Sequence, residues 1–198
     1  LGIWLFMSLT TIGCATTGVL ENGLYRGVQT SYRIGPLSGD WTPVTVNHQN
    51  DLAWHNEAKG AVMHVDSDCD PGLDIPLSAL RSHLLIGFTE REIVEEEVVA
   101  MDGREALRTH LMAKLDGVPR EILLQILKKD ACVYDFGLIT PPGTSFEDSL
   151  SDFDAMLEIT EMEIDDERRP IATENGLNTT FGGSVQSAAA HPEQGQVV

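Results

Sequence analysis

The sequence predicts an α+β domain, an antiparallel β-sheet with packing helices, and three observations predict it. Short β-rich runs separated by turn residues occupy the stretch from Tyr25 to Val65. Two apolar series at helical spacing, Leu77-Leu80-Leu84-Phe88 and Phe146-Leu150-Phe153-Leu157, each define one buried stripe. Between them lie four runs joined by Asp102-Gly103, Asp116-Gly117 and Lys128-Lys129-Asp130-Ala131, and Asp-Gly between alternating runs is a strong hairpin signal. A chain of 198 residues holds one such domain with extended ends.

The elements follow in order. Tyr32 and Ile34, Trp41 to Val46, Leu52 to Trp54 and Ala61 to Val65 make three or four early strands. Asp74 and Pro76 supply helix-start chemistry for the first helix, and Gly87 marks its stop region. Ile93 to Met101, Ala106 to Leu115, Arg120 to Leu127 and Cys132 to Ile139 form a meander. Leu107, Leu111, Ala113 and Leu115 share one face of their strand, and Arg108, His110 and Lys114 share the other, so one side of the meander is expected to be wet. Ile122, Leu124 and Ile126 oppose Leu123 and Leu127, which predicts a central strand covered on both sides. Thr144 and Glu147 stand at capping-box spacing before the second helix.

The ends differ in character from this domain. Leu1 to Gly13 carries no charge, is too short to span a bilayer as a helix, and reads as a signal-peptide apolar region ending in Thr11-Ile12-Gly13-Cys14. That ending resembles the lipobox of bacterial lipoproteins, a small residue before a cysteine at the end of an apolar run. The resemblance implies cleavage before Cys14, lipidation of Cys14, and a mature protein anchored in the membrane through that lipid. Residues 14–23 then serve as a tether, 24–162 as the globular domain and 163–198 as a disordered acidic and polar tail. Between Glu147 and Glu174 eleven acidic residues face two arginines, so half of the net charge of −18 sits there. A solvated tail is the expected state of such a segment. By the same resemblance, Ala15 in the place where an Asp would imply inner-membrane retention implies the outer membrane, facing the periplasm.

Element order, together with Tyr32-Arg33-Ile34-Gly35-Pro36 before Trp41, resembles the PsbP-like α/β/α sandwich domains from Tyr25 to Ile159. The resemblance implies accessory or binding roles rather than catalysis, with an envelope protein as partner.

Candidate chemistry was tested against spacing. Thirteen Lys and Arg against 31 Asp and Glu repel phosphate backbones, so nucleic acid is not an expected partner. Asp66-Ser67-Asp68-Cys69-Asp70 opens like a calcium loop, yet Pro71 and Leu77 occupy the places of the turn glycine and the bidentate glutamate, so a turn is expected instead. His48, His55, His64, His83, His110 and His191 match no zinc spacing, and no metal or cofactor is expected. Glu95-Glu96-Glu97 alternates between faces of a strand and reads as a solvated edge. No catalytic residue is assigned. With Cys14 given to lipid, Cys69 and Cys132 are expected to form a disulfide in an oxidising compartment. The functional expectation is a non-enzymatic, lipid-anchored envelope module, with a small-ligand-binding lipoprotein and an envelope hydrolase with dispersed residues as alternatives.

Overall fold

The computed structural model describes residues 18–45, 50–158 and 160–163. Cys14, His48, His191 and the tail beyond 163 lie outside the described residues. The described chain is an α+β fold. Strands β1 (Val19–Glu21), β2 (Leu24–Arg26), β3 (Ser31–Arg33) and β11 (Glu161–Glu163) form a small sheet in the order β1-β2-β3-β11. A larger sheet runs β4 (Thr42–Pro43), β5 (Leu52–Asn56), β6 (Ala61–Asp68), β10 (Cys132–Thr140), β9 (Val118–Lys129), β8 (Arg104–Leu115) and β7 (Phe88–Met101) in spatial order, with every pairing antiparallel. No helix among the described residues is long and apolar enough to cross a membrane.

The period-2 pattern dictates the layering. Tyr134, Phe136 and Leu138 of β10 stand opposite Leu127, Gln125 and Leu123 of β9, so these six share one face. On that face lies helix α2 (Thr144–Glu158), whose Phe146, Phe153 and Met156 join them in the main core, together with Tyr25, Tyr32 and Met162 of the small sheet. The opposite face carries Leu111, Ala113, Ile122 and Leu124, packed with Leu85 just after helix α1 (Leu77–Leu84). The sheet is therefore covered on both sides, and β9 is buried from both, with Leu123, Leu124, Ile126 and Leu127 all inside.

The expected meander is present, and its three hairpins turn on left-handed residues. Asp102-Gly103 and Asp116-Gly117 each place two consecutive residues at positive φ, as a type I′ turn requires. Asp130 and Ala131 do the same without a glycine, with φ of 54° and 64°. Gly35 is needed for another reason: a Cβ there would lie 2.0 Å from the Ala155 carbonyl oxygen, because the Gly35 N–H bonds the Met156 carbonyl of α2.

Several boundaries differ from the sequence reading. Val19–Glu21, assigned to the tether, pairs with Leu24–Arg26 across an Asn22-Gly23 turn, so the domain begins earlier. At the other end Glu161–Glu163 pairs with Ser31–Arg33, which carries the fold to the first residue assigned to the tail. The run from Trp41 forms a two-residue edge strand at Thr42–Pro43, followed by the Val44 N–H bonded to the Ala53 carbonyl, and Val46 lies outside the described residues. Helix α1 ends at Leu84, and Phe88 beyond Gly87 (φ 97°) opens β7 instead. Asp74 does not cap α1; its carboxylate reaches Lys128 Nζ of β9 at 2.6 Å. Thr144 lies inside α2, whose first intrahelical bonds go to the Gly143 carbonyl, so the capping box is not formed.

Candidate functional site

β7 is the last strand of the large sheet and the longest, at 14 residues. Nearly all of it is exposed. Its register with β8 sets two different faces. Glu95, Glu97 and Val99 stand opposite His110, Arg108 and Ala106, on the side of the sheet that α2 covers. Ile93, Glu96 and Val98 stand opposite Leu111, Thr109 and Leu107, on the side of α1. Glu96 is held by Arg81 of α1 and by Thr109 Oγ1 at 2.9 Å. Ile93, Val94 and Val98 are left 46, 55 and 62% exposed.

On the α2 side the basic side chains are already engaged. Arg108 donates to Gln125 Oε1 at 2.9 Å and to Asp154 Oδ1 of α2 at 2.6 Å, and its guanidinium lies over the Phe153 ring. His110 stacks on Phe146 with ring centroids 4.5 Å apart, and its Nε2 lies 2.9 Å from Glu121 Oε1. Glu121 in turn accepts the Gly143 N–H at the start of α2. The polar face of β8, expected to be wet, is thus partly roofed by α2. A groove of about 510 Å³ runs between β7 and the end of α2, lined by Glu97, Asp102, Arg108, Asp154 and Glu158 among others. A smaller hollow of about 100 Å³ continues past Glu95, His110 and Phe146.

A second polar cluster lies around β6 and β10. Asp51 accepts Tyr25 Oη at 2.7 Å, Tyr32 Oη at 3.2 Å and the Ser67 hydroxyl, and Thr30 Oγ1 lies 2.7 Å from Ser67 Oγ. Burial, with the Asp51 charge, raises the pKa of both tyrosines, so they remain hydrogen-bond donors. Through the sheet, Asp66 and Asp135 are direct cross-strand neighbours. Burial first, and then the Asp51 charge, pushes Asp66 up to about 6. Burial first, and then the charges of Asp66, Asp51 and Asp68, pushes Asp135 up to about 8. Beside them burial holds His64 down at about 4, and its ring occupies the space a Cβ at Gly137 would need.

The sequence candidates fall as follows. Cys69 and Cys132 are bonded to each other. Glu95 and Glu97 share a face and Glu96 takes the other, as alternation requires. Asp68 and Asp70 accept the backbone N–H groups two residues onward, so the loop after β6 is built of turns. His55, His64, His83 and His110 sit on separate elements, and no metal-holding group of three side chains occurs among the described residues. An open cavity of about 470 Å³ beside Cys132 has Lys128 and Lys129 in its wall, paired with Asp74 and Asp102 respectively.

Sequence reasoning missed the Asp51 network and Asp135. Tyr25, Tyr32 and Ser67 lie 26, 19 and 16 residues from Asp51 and carry no local signal. Asp135 was visible as the lone acid in the apolar run from Cys132 to Ile139.

No family model and no curated protein matches the chain. Among solved structures it is similar to cyanobacterial PsbP from Synechocystis sp. PCC 6803, with a TM-score of 0.48, 15% identity, and coverage of 80% of this chain and 99% of that one. It is also similar to LpqN, described as involved in cell envelope biogenesis of Mycobacterium tuberculosis, with a TM-score of 0.45, 12% identity and coverage of 67% and 84%. A Bacteroides thetaiotaomicron protein gives a TM-score of 0.48 at 11% identity, over 69% of this chain and 46% of that one. At these scores and identities the similarity is one of outline and assigns no role.

Proposed function

We propose that the chain is a non-enzymatic interaction module of the bacterial cell envelope, held at the outer membrane by lipid on Cys14 and facing the periplasm. The observation that carries this reading is the exposed row of Ile93, Val94 and Val98 on a 14-residue edge strand. Edge strands are ordinarily kept short or covered, because their unpaired backbone groups recruit other chains. This one is long, open and partly apolar. The lipid reading rests on the Thr11 to Cys14 pattern, and more than one acyl chain on Cys14 would give stable attachment.

The second reading, a small cationic ligand in the groove of about 510 Å³, draws on its acidic lining. It is the weaker one, since Asp102 and Asp154 already bind Lys129 and Arg108.

One experiment addresses both halves of the proposal. A photocrosslinking amino acid in place of Val98, in the full-length chain in cells, should give a discrete adduct in the membrane fraction, and one in place of the equally exposed Val28 should not. Cys14→Ala should move the protein to the soluble fraction. Equal labelling at Val28 and Val98 would remove the interaction surface, and a Cys14→Ala protein that stays with the membrane would remove the anchor.

A further inference from the structure

We propose that Glu95 to Met101 of β7 accepts an extended segment whose residues alternate between basic and apolar, added as an eighth strand of the large sheet. This rests on the reading of the domain as an interaction module and specifies the partner's chemistry.

Three observations lead there. First, the edge is regular where it is open: the irregularities of the β7–β8 pairing lie between Thr89 and Glu92 and between Ile93 and Glu95, and from Glu95 onward every residue pairs in unbroken register up to Met101 opposite Arg104. Bulges protect an edge by twisting it away, and here they leave these seven residues undistorted. Such a row of backbone donors and acceptors is what strand addition uses for affinity.

Second, the two faces of this edge ask for different side chains. Glu95 and Glu97 form no ion pair among the described residues, because Arg108 is committed to Asp154 and Gln125 and His110 to Glu121. On the other face Val98 is exposed, and the neighbouring Glu96 is neutralised by Arg81. Successive side chains of an incoming strand alternate between these faces. Lys or Arg at every second position would meet Glu95 and Glu97, and the residues between would cover Val98.

Third, charge selects the occupant. Two copies pairing edge to edge would bring this glutamate-rich strand against itself, and like charges opposed across a ladder are destabilising. The net charge of −18 likewise repels a second copy and attracts a basic segment.

The test is fluorescence anisotropy on the full-length chain in detergent at low salt, with a labelled Lys-Val-Lys-Val-Lys-Val-Lys peptide. Two controls keep its composition: one with the lysines in a block, and one N-methylated at alternate backbone nitrogens. The alternating peptide should bind, and each control should bind about tenfold more weakly. Glu95→Lys with Glu97→Lys should weaken the alternating peptide by about tenfold, and Glu95→Gln with Glu97→Gln should weaken it by a smaller factor in the same direction. Three outcomes overturn the proposal. They are binding of all three peptides within about threefold, which is unspecific attraction; no binding below about 1 mM; and a dimer in sedimentation that the Glu95 and Glu97 variants abolish. A Val98 adduct in cells combined with failure of the peptide leaves the interaction-module reading standing and removes this partner chemistry.

Discussion

Breaking the Cys69–Cys132 bond will lower the stability of the domain by about 4 kcal/mol, the chain-entropy value for a closed loop of this size. The two cysteines are 63 residues apart in sequence, and their bond ties the end of β6 to the start of β10, its neighbour in the sheet. Once the bond is gone, the unfolded chain regains the freedom of that whole loop, whereas the native pairing from Val133 opposite Asp68 to Ile139 opposite Val62 stays available. In thermal terms the loss is about 10 °C or more for a domain of this length. Urea unfolding of the Cys69→Ser, Cys132→Ser double variant checks it. A loss under about 1 kcal/mol would show that the bond does not constrain the unfolded chain.

The second large effect is a dependence of stability on pH centred on Asp135. Asp135 is 6% exposed in β10, opposite Asp66, with no cation bonded to either side chain among the described residues. The charges that raise it are those of Asp66, Asp51 and Asp68; His64 on β6 and Lys128 on β9, the latter paired with Asp74, share its face of the sheet. Burial is the main cause of its rise to about 8, against an ordinary value of 3.8. A folded-state pKa above the unfolded value means that the native state holds the extra proton. The stabilisation is complete below pH 3.8 and is lost progressively as pH rises toward 8; Asp66, raised to about 6, adds to the loss over the lower part of that window. Asp135→Asn keeps the shape and cannot ionise. It should be more stable than the natural chain at pH 8, by about 1–4 kcal/mol, with a smaller advantage at pH 5. Urea midpoints at the two pH values measure this, and an advantage that does not grow with pH would assign Asp135 a different environment.

What the sequence made legible was local. The alternation Leu107, Leu111, Ala113 against Arg108, His110 assigned both faces of β8, because burial on one face of a ladder leaves a period of 2. The Asp-Gly turns placed the meander, since few other dipeptides take two positive φ values without strain. Legibility stopped where a long-range contact overrode a local signal. Asp74 looked like helix-start chemistry and is claimed by Lys128, 54 residues away. Val19–Glu21 looked like part of a tether because three residues carry no period, and it is ordered by pairing with β2. His110 looked solvated because nothing in its own strand announces that Phe146 will stack on it. For the candidate site, the sequence showed that Glu95 and Glu97 share a face opposite Glu96. It also read Glu95-Glu96-Glu97 as a solvated edge, and β7 is the outermost strand; that Val98 is left uncovered beside them depended on how α1 sits on the sheet, which no local pattern encodes.

Amide hydrogen exchange of β7 in the native setting tests strand recruitment at this edge. The chain is labelled once in its own isolated membranes and once after purification in detergent. If the edge from Glu95 to Met101 is occupied by a partner strand, its alternate amides that point away from β8 should exchange about tenfold or more slowly in the membranes, and purification should release them while β9 stays protected in both. Glu95→Lys with Glu97→Lys should erase that difference. Equal exchange of Glu95 to Met101 in both preparations of the natural chain would rule out a recruited strand, because an edge that recruits a strand cannot stay open where its partner resides.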